Sequence, residues 1–393
     1  MCLSPKRKTH VCCGLNYINA ENSGKVSKYY PSRRRSSAIL SQSPFFKVTL
    51  AAVLLSSFAR IANAQQPVSP QAPVTLSEPV RATLYPEVIC AHCIVPEWDR
   101  SYLLHREFDT DPALVTMYDR TGKKVLQARV VPQNAAKVSL IATGATHAGG
   151  ILAAGGSIMT DGSGHRFIAK TDSAGRTVQL VDTGRFTTRR VCEASDGTVW
   201  ALGYDLDIHD SPDADKNVLR HYSFEKGLLG TFVSLDSISK FPDDYSAIAS
   251  PMKSYLRCGK DRVLIYLAPA AQYIEVDAST ERLTRWSVDM SSVVGSNTRG
   301  FAVTDEGRIF LAFVNDPDPN GERKHGLYEL KATPGSPIAS LTVVDGTVTT
   351  FDSHKAVPDG TVLRLWGADG NSVVVSRQGD DYWGLSWANA APQ

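Results

Sequence analysis

One pattern recurs along this chain at a nearly fixed step, and it limits the possible folds more than any other feature. An apolar strand, a turn opened by a polar residue and a second strand appear as VTMYDRTGKKVLQARV from Val115, FIAKTDSAGRTVQLV from Phe167 and LRHYSFEKGLLGTFV from Leu219. They return as QYIEVDASTERLTRWSV from Gln272 and GLYELKATPGSPIASLTV from Gly326. With Asp119, Asp172, Ser223, Asp277 and Lys331 as equivalent positions, the steps are 53, 51, 54 and 54 residues. A constant period of this size marks a repeat architecture, in which one unit cannot hide its apolar faces alone and copies must shield one another.

A second strand pair recurs between the first. HAGGILAAGG from His147, CEASDGTVWALG from Cys192, CGKDRVLIYLA from Cys258, FAVTDEGRIFLAF from Phe301 and AVPDGTVLRLW from Ala356 each join two apolar runs through a Gly- or Asp-containing turn. Such turns supply the positive φ that a tight hairpin needs. In Arg299–Val344 the two patterns combine into one four-stranded antiparallel meander. Five full meanders and a shorter terminal one, which starts near Thr349 and ends on YWGLSWA, predict an all-β chain: a β-propeller of six four-stranded blades. Seven blades follow instead if Val80–Cys93 forms strands that complete the ring. Trp200, Leu202, Phe310, Leu311, Trp366, Trp383 and Trp387 read as core between blades.

The first 64 residues stand apart. Arg33, Arg34, Arg35 and Lys47 precede the apolar run Val48–Phe58, and Ala62-Asn63-Ala64 follows it. Charged region, apolar region and small-residue site in that order predict a secretory signal peptide cut after Ala64, and an apolar run too short to remain as a membrane span. The stretch 65–84 is rich in Pro, Gln, Ser and Ala and reads as a flexible lead-in, with residues 85–393 as one propeller domain. The protein is therefore expected to be secreted, periplasmic or extracellular, and a monomer. The formal charge of +2 hides an asymmetry: residues 1–64 hold ten bases and one acid, so the remainder carries 32 bases against 39 acids, a net −7. An acidic mature chain argues against nucleic acid as partner, since phosphate binding needs a basic surface.

Four cysteines follow the leader, and an even number in an exported chain predicts disulfides. Cys192 and Cys258 fall five and three residues before their hairpin turns and so share parity on adjacent inner strands. A Cys192–Cys258 bridge between blades and a local Cys90–Cys93 bridge are expected.

The patterns GFAVTDEGRIFLA and ASDGTVWALG resemble the inner strands of six-bladed propellers of the NHL-repeat and gluconolactonase-like superfamily. That resemblance implies the scaffold over most of residues 85–393. In lactonases of the group it also implies a divalent cation on the axis, for which Glu97 and Asn297 are the matching positions here. The group's Gly-Pro after the Glu is missing, and Asn297 is separated from its Gly by two residues.

Two sets of residues are candidates for chemistry. Asp316, Asp318 and Asn320 fit the opening of a DxDxDG calcium loop, whose alternate oxygens converge on one cation. Eight residues before successive inner turns fall Arg189, Lys253 and Arg299, with Arg190, His354 and Lys355 close by in sequence. Equivalent positions on innermost strands ring a channel mouth, so these bases predict a rim for a carboxylate or phosphate. No G-x-S-x-G, H-E-x-x-H or phosphate-loop motif is present. The chain thus reads as a secreted module binding a protein or anionic small molecule at the channel mouth. The alternatives are a metal-dependent hydrolase of gluconolactonase type, with calcium as a possible cofactor, or a structural envelope module.

Overall fold

In the computed structural model the chain divides into two units, 1–66 and 67–393, and only parts of the second are described: residues 74–76, 80–81, 97–106, 113–205, 215–238, 248, 253–293, 297–378 and 383–390. The signal peptide and Cys90–Cys93 lie outside the described residues.

Nearly every element is a strand. The first two, β1 (Val74–Leu76) and β2 (Val80–Arg81), are short. Four-stranded antiparallel groups follow. The first holds β3 (Glu97–Asp99), β4 (Tyr102–Arg106), β5 (Leu114–Tyr118) and β6 (Lys124–Arg129). The second holds β7 (Ala135–Ala145), β8 (Ile151–Met159), β9 (Gly164–Thr171) and β10 (Thr177–Asp182). In the third are β11 (Phe186–Glu193), β12 (Val199–Asp205), β13 (Asn217–Ser223) and β14 (Gly227–Ser234). The fourth comprises β15 (Ser254–Cys258), β16 (Arg262–Leu267), β17 (Gln272–Asp277) and β18 (Leu283–Val288). The fifth has β19 (Asn297–Val303), β20 (Ile309–Val314), β21 (Glu322–Ala332) and β22 (Ile338–Val343), plus β23 (Thr349–Asp352) beside β21. The sixth has β24 (Val362–Asp369), β25 (Ser372–Gln378) and β26 (Trp383–Ala390), and takes its outer strand from β1.

The first strand of each group touches the first strand of the next, β3 to β7, β7 to β11, β11 to β15, β15 to β19 and β19 to β24, and β24 returns to β3. Five apolar cores lie between successive groups. Leu104 and Met117 meet Ile151 and Phe167, Leu152 and Ile168 meet Phe186 and Val199, and Trp200 and Leu219 meet Leu256 and Ile265. Tyr266 and Tyr273 meet Phe301 and Phe313, while Phe310 and Leu327 meet Leu365 and Val375. At the return, Trp98 is buried and its indole N–H donates to Ala368 O at 2.8 Å, and Ser101 Oγ donates to Asp369 Oδ1 at 2.6 Å. The second to fifth groups are apolar on both faces and bury both against neighbours, as in a β-propeller. Trp200, Leu202, Phe310, Leu311 and Trp366 are core, as their size and sequence context require.

The recurring turn position has a local cause. Asp119, Asp172 and Asp277 each use Oδ1 to accept two backbone N–H groups of their own turn, and Ser223 Oγ does the same. This side-chain closure stands in for a backbone turn bond. Cys192 and Cys258 are joined, tying β11 to β15.

Two readings change. The AVPDGTVLRLW stretch is not an inner hairpin: β24 pairs with β25 around Gly370, while the Asp359-Gly360 turn leads into β24 from β23, which folds back on β21. Strands in 74–81 lie within the stretch read as lead-in, and β1 and β2 both pair with β26 in the last group.

Candidate functional site

The innermost strand of a propeller blade has one unpaired edge, and its free N–H and C=O groups face the axis. Here charged side chains satisfy them across groups. Glu97 accepts from Thr143 N at 3.2 Å, and Asp99 Oδ2 from Ala145 N at 2.8 Å. Arg106 Nη1 donates to Leu140 O at 3.0 Å, Arg190 Nε to Ser254 O at 3.1 Å, and Arg257 Nη2 to Trp366 O at 3.3 Å. The axis is therefore lined by acidic and basic side chains.

The balance of these groups is positive. Glu97 Oε1 pairs with Arg190 Nη1 at 2.9 Å, both largely buried. Arg257 gives two N–H groups to the carbonyls of Leu256 and Trp366 and makes no ion pair among the described residues. Burial lowers its pKa, opposed by Asp99 and reinforced by Arg190. Arg364 lies over the Trp366 ring at 4.4 Å, and burial pushes it down to about 10, with Arg190 and Arg299 adding to the shift against Tyr255 and Glu97. Burial raises the Tyr255 phenol while Arg364, Arg190, Arg257 and Arg299 pull it back. Five guanidiniums, those of Arg106, Arg190, Arg257, Arg299 and Arg364, thus share the axis with the carboxyl groups of Glu97 and Asp99.

A cavity of 350 Å³ opens where the inner hairpins turn. Its lining includes Asp99, Arg100, His147, Arg257, Lys260 and Asp305, drawn from four groups. The β3–β4 turn there is built against local preference. Arg100 and Ser101 stand at φ 54° and 71°, whereas Gly149, Gly197, Gly307 and Gly370 take positive φ in other inner hairpins. Each non-glycine residue in that region costs about 1–2 kcal/mol. The strained turn carries Arg100 to Ala145 O, to Glu193 O and against the His147 ring, whose one acceptor nitrogen takes an Arg100 N–H. Burial, then Arg100, lowers the His147 pKa, so the ring is neutral near pH 7. Burial raises the pKa of Asp99, which Arg100 and Arg257 oppose.

The rim residues from sequence divide. Arg189 and Arg299 occupy bulges, where the pairing of β11 skips from Thr188 to Arg190 and that of β19 from Thr298 to Gly300. Bulges re-aim side chains, and Arg189 turns to Tyr204, donating to its hydroxyl at 2.6 Å. Arg190 and Arg299 join Arg364 and Tyr255 on the axis. Lys253 is exposed just before β15, and His354 and Lys355 are exposed beside Asp352 and Gly321, away from this cluster.

In the acidic loop, Asp316 accepts from Asn297 Nδ2 at 2.9 Å, and Asp318 Oδ1 from the N–H groups of Asn320 and Glu322. Asp318 Oδ1 is thus engaged in its own turn and Asp316 Oδ1 by a residue of β19, and no group of three or more Asp, Glu, His or Cys able to hold a metal occurs among the described residues. Glu97, the position the lactonase resemblance points to, holds Arg190.

Sequence reasoning missed Arg100, Arg257 and Arg364. The signal available for Arg100 was the Asp99-Arg100-Ser101 turn, which lacks the Gly of its counterparts.

No family model and no curated protein matches the chain. Among solved structures it is similar to a putative exported protein from Bacteroides fragilis, at 12% identity and a TM-score of 0.47, over 82% of this chain and 98% of that one. It is also similar to the PQQ-bound aldose sugar dehydrogenase of Streptomyces coelicolor, at 12% identity and a TM-score of 0.38, over 81% and 99%. A protein of unknown function from Bacteroides caccae matches at 11% identity and 0.38, over 63% and 85%.

Proposed function

We propose that the chain is an exported six-bladed propeller, and that it binds an anionic small molecule at the mouth of its axis where the inner hairpins turn. The observation that carries the reading is Arg257: a half-buried guanidinium lining a 350 Å³ cavity, anchored by two carbonyls and by no carboxylate within ion-pair reach among the described residues. Arginine has five donors, so three remain for a planar oxyanion, which it grips bidentately. Lys260 borders the same cavity and adds charge. The Cys192–Cys258 bridge supports an oxidising compartment.

The hydrolase alternative is less favoured electrostatically. Glu97 would have to release Arg190 and bind a divalent cation beside four further guanidiniums, Arg106 among them, and like charges oppose that.

Calorimetric titration with acetate, citrate and phosphate tests the proposal. At least one anion is expected to bind, and Arg257→Gln to weaken it tenfold or more. Binding that ignores Arg257→Gln, or no binding by any of the three, defeats the reading. A protein partner presenting an acidic side chain would show itself as a requirement for Arg257 without small-anion affinity.

A further inference from the structure

The cavity that holds Arg257 also carries unused acceptors. Asp99 engages only Oδ2, with the Ala145 N–H, and its second oxygen accepts no hydrogen bond among the described residues. Asp305 is exposed at the rim; its backbone N–H reaches Gly370 O, but its carboxylate has no partner among the described residues. Arg100 acts on Asp99 by charge alone and gives these acids no hydrogen bond, because its donors go to Ala145 O, Glu193 O and the His147 ring. The acceptor nitrogen of His147 is taken by an Arg100 N–H.

Two cations and two carboxylates therefore remain open toward one space: Arg257 and Lys260, Asp99 and Asp305. A ligand with only negative charge satisfies the first pair and is repelled by the second. A ligand with only positive charge meets the opposite problem. A molecule carrying both signs satisfies all four, and an under-coordinated, partly desolvated carboxylate gains most from an ammonium donor. The volume lies at the lower end of small-molecule sites, which suits a compact ligand.

We infer that the site takes a zwitterion of the amino-acid type, its carboxylate on Arg257 and Lys260 and its ammonium between Asp99 and Asp305. The inference rests on the anion-binding reading and narrows it to a ligand class. The strained Arg100-Ser101 turn then has a purpose: it locks Arg100 onto His147 and the neighbouring carbonyls, leaving Asp99 open.

Paired titrations of the full chain separate the two ideas. L-glutamate is compared with glutarate, and L-alanine with propionate, each second compound lacking only the amino group. The expected result is a tenfold or greater preference for the amino acid in at least one pair. Asp305→Asn removes an exposed, unbonded carboxylate and so leaves the fold intact. It should reduce that preference severalfold by weakening the amino acid, while glutarate and propionate, relieved of a repelling charge, bind equally or more tightly. Equal affinity within both pairs overturns the zwitterion inference and leaves anion binding standing. Affinity for none of the four overturns the zwitterion inference, and overturns anion binding as well when acetate, citrate and phosphate also fail. A preference that survives both Asp305→Asn and Asp99→Asn also overturns the assignment of the ammonium.

Discussion

Removing the Cys192–Cys258 bridge by the double change to Ala probes the contact between the third and fourth groups. The cysteines are 66 residues apart, and the loop they close contains β12, β13 and β14. In the chain-entropy model a closed loop of that length limits the unfolded ensemble by about 4.3 kcal/mol at 25 °C. An unfolding entropy of roughly 2.1 cal/mol/K per residue, over a domain of roughly 310 residues, turns this into a fall in Tm of about 6–7 °C. The assay is a thermal melt of the oxidised protein, the same protein with reductant, and the double variant. Reductant and substitution should each lower Tm by most of this amount, and reductant should move the variant only by what the short Cys90–Cys93 bridge contributes. A variant that melts within a degree of the oxidised parent would refute the reasoning, because the bridge would then restrain nothing that folding does not already fix. Peptide mapping without reduction checks the premise, since Cys90 linked to Cys192 or Cys258 would contradict the pairing.

Other expectations follow from the same contacts. Trp98→Ala empties the buried seat where the first group meets the sixth and leaves Ala368 O without its donor; it should cost about 3–5 kcal/mol, read as a fall in urea midpoint. Gly367→Ala would set a Cβ 2.5 Å from Trp98 Cδ1, so it too should destabilise, and equal stability of the variant would place that seam elsewhere. Turn hydrogen bonds hold the carboxyls of Asp119, Asp172 and Asp277 low, Asp277 at about 2. A depressed folded value means stability that is full above the unfolded pKa of about 4 and lost as pH falls toward 2. Asp99 runs the other way, since burial raises its pKa. The urea midpoint should therefore drop between pH 4 and 2, and Asp277→Asn should shrink that drop; a flat profile would contradict the turn geometry.

Most hairpins are legible in the sequence because their turns are closed by their own side chains. Asp119, Asp172, Ser223 and Asp277 bond within four residues of themselves, so the signal is local and survives without tertiary context. The misread hairpin near Ala356 shows the limit. Asp359-Gly360 is as good a turn as Asp196-Gly197, yet only the first is preceded by β23, whose pairing with β21 is a long-range matter. The eight-residue count does not land on equivalent positions, for a similar reason. Counting eight residues back from the turn lands on a bulge in β11 and β19, but β15 pairs with β16 without one, so Lys253 falls short of the strand. Arg257 and Arg364 sit inside SYLRC and VLRLW, where one charge in an alternating strand looks like a solvent-facing residue. Their place on the axis comes from how groups pack, which periodicity does not encode.

Anomalous diffraction from a crystal soaked in bromide addresses the axis most directly. The account predicts a bromide peak beside the Arg257 guanidinium, inside a ring of innermost strands in which β24 touches β3. A map with the ring open at that seam, or with bromide only on the outer surface and none near Arg257, would contradict it.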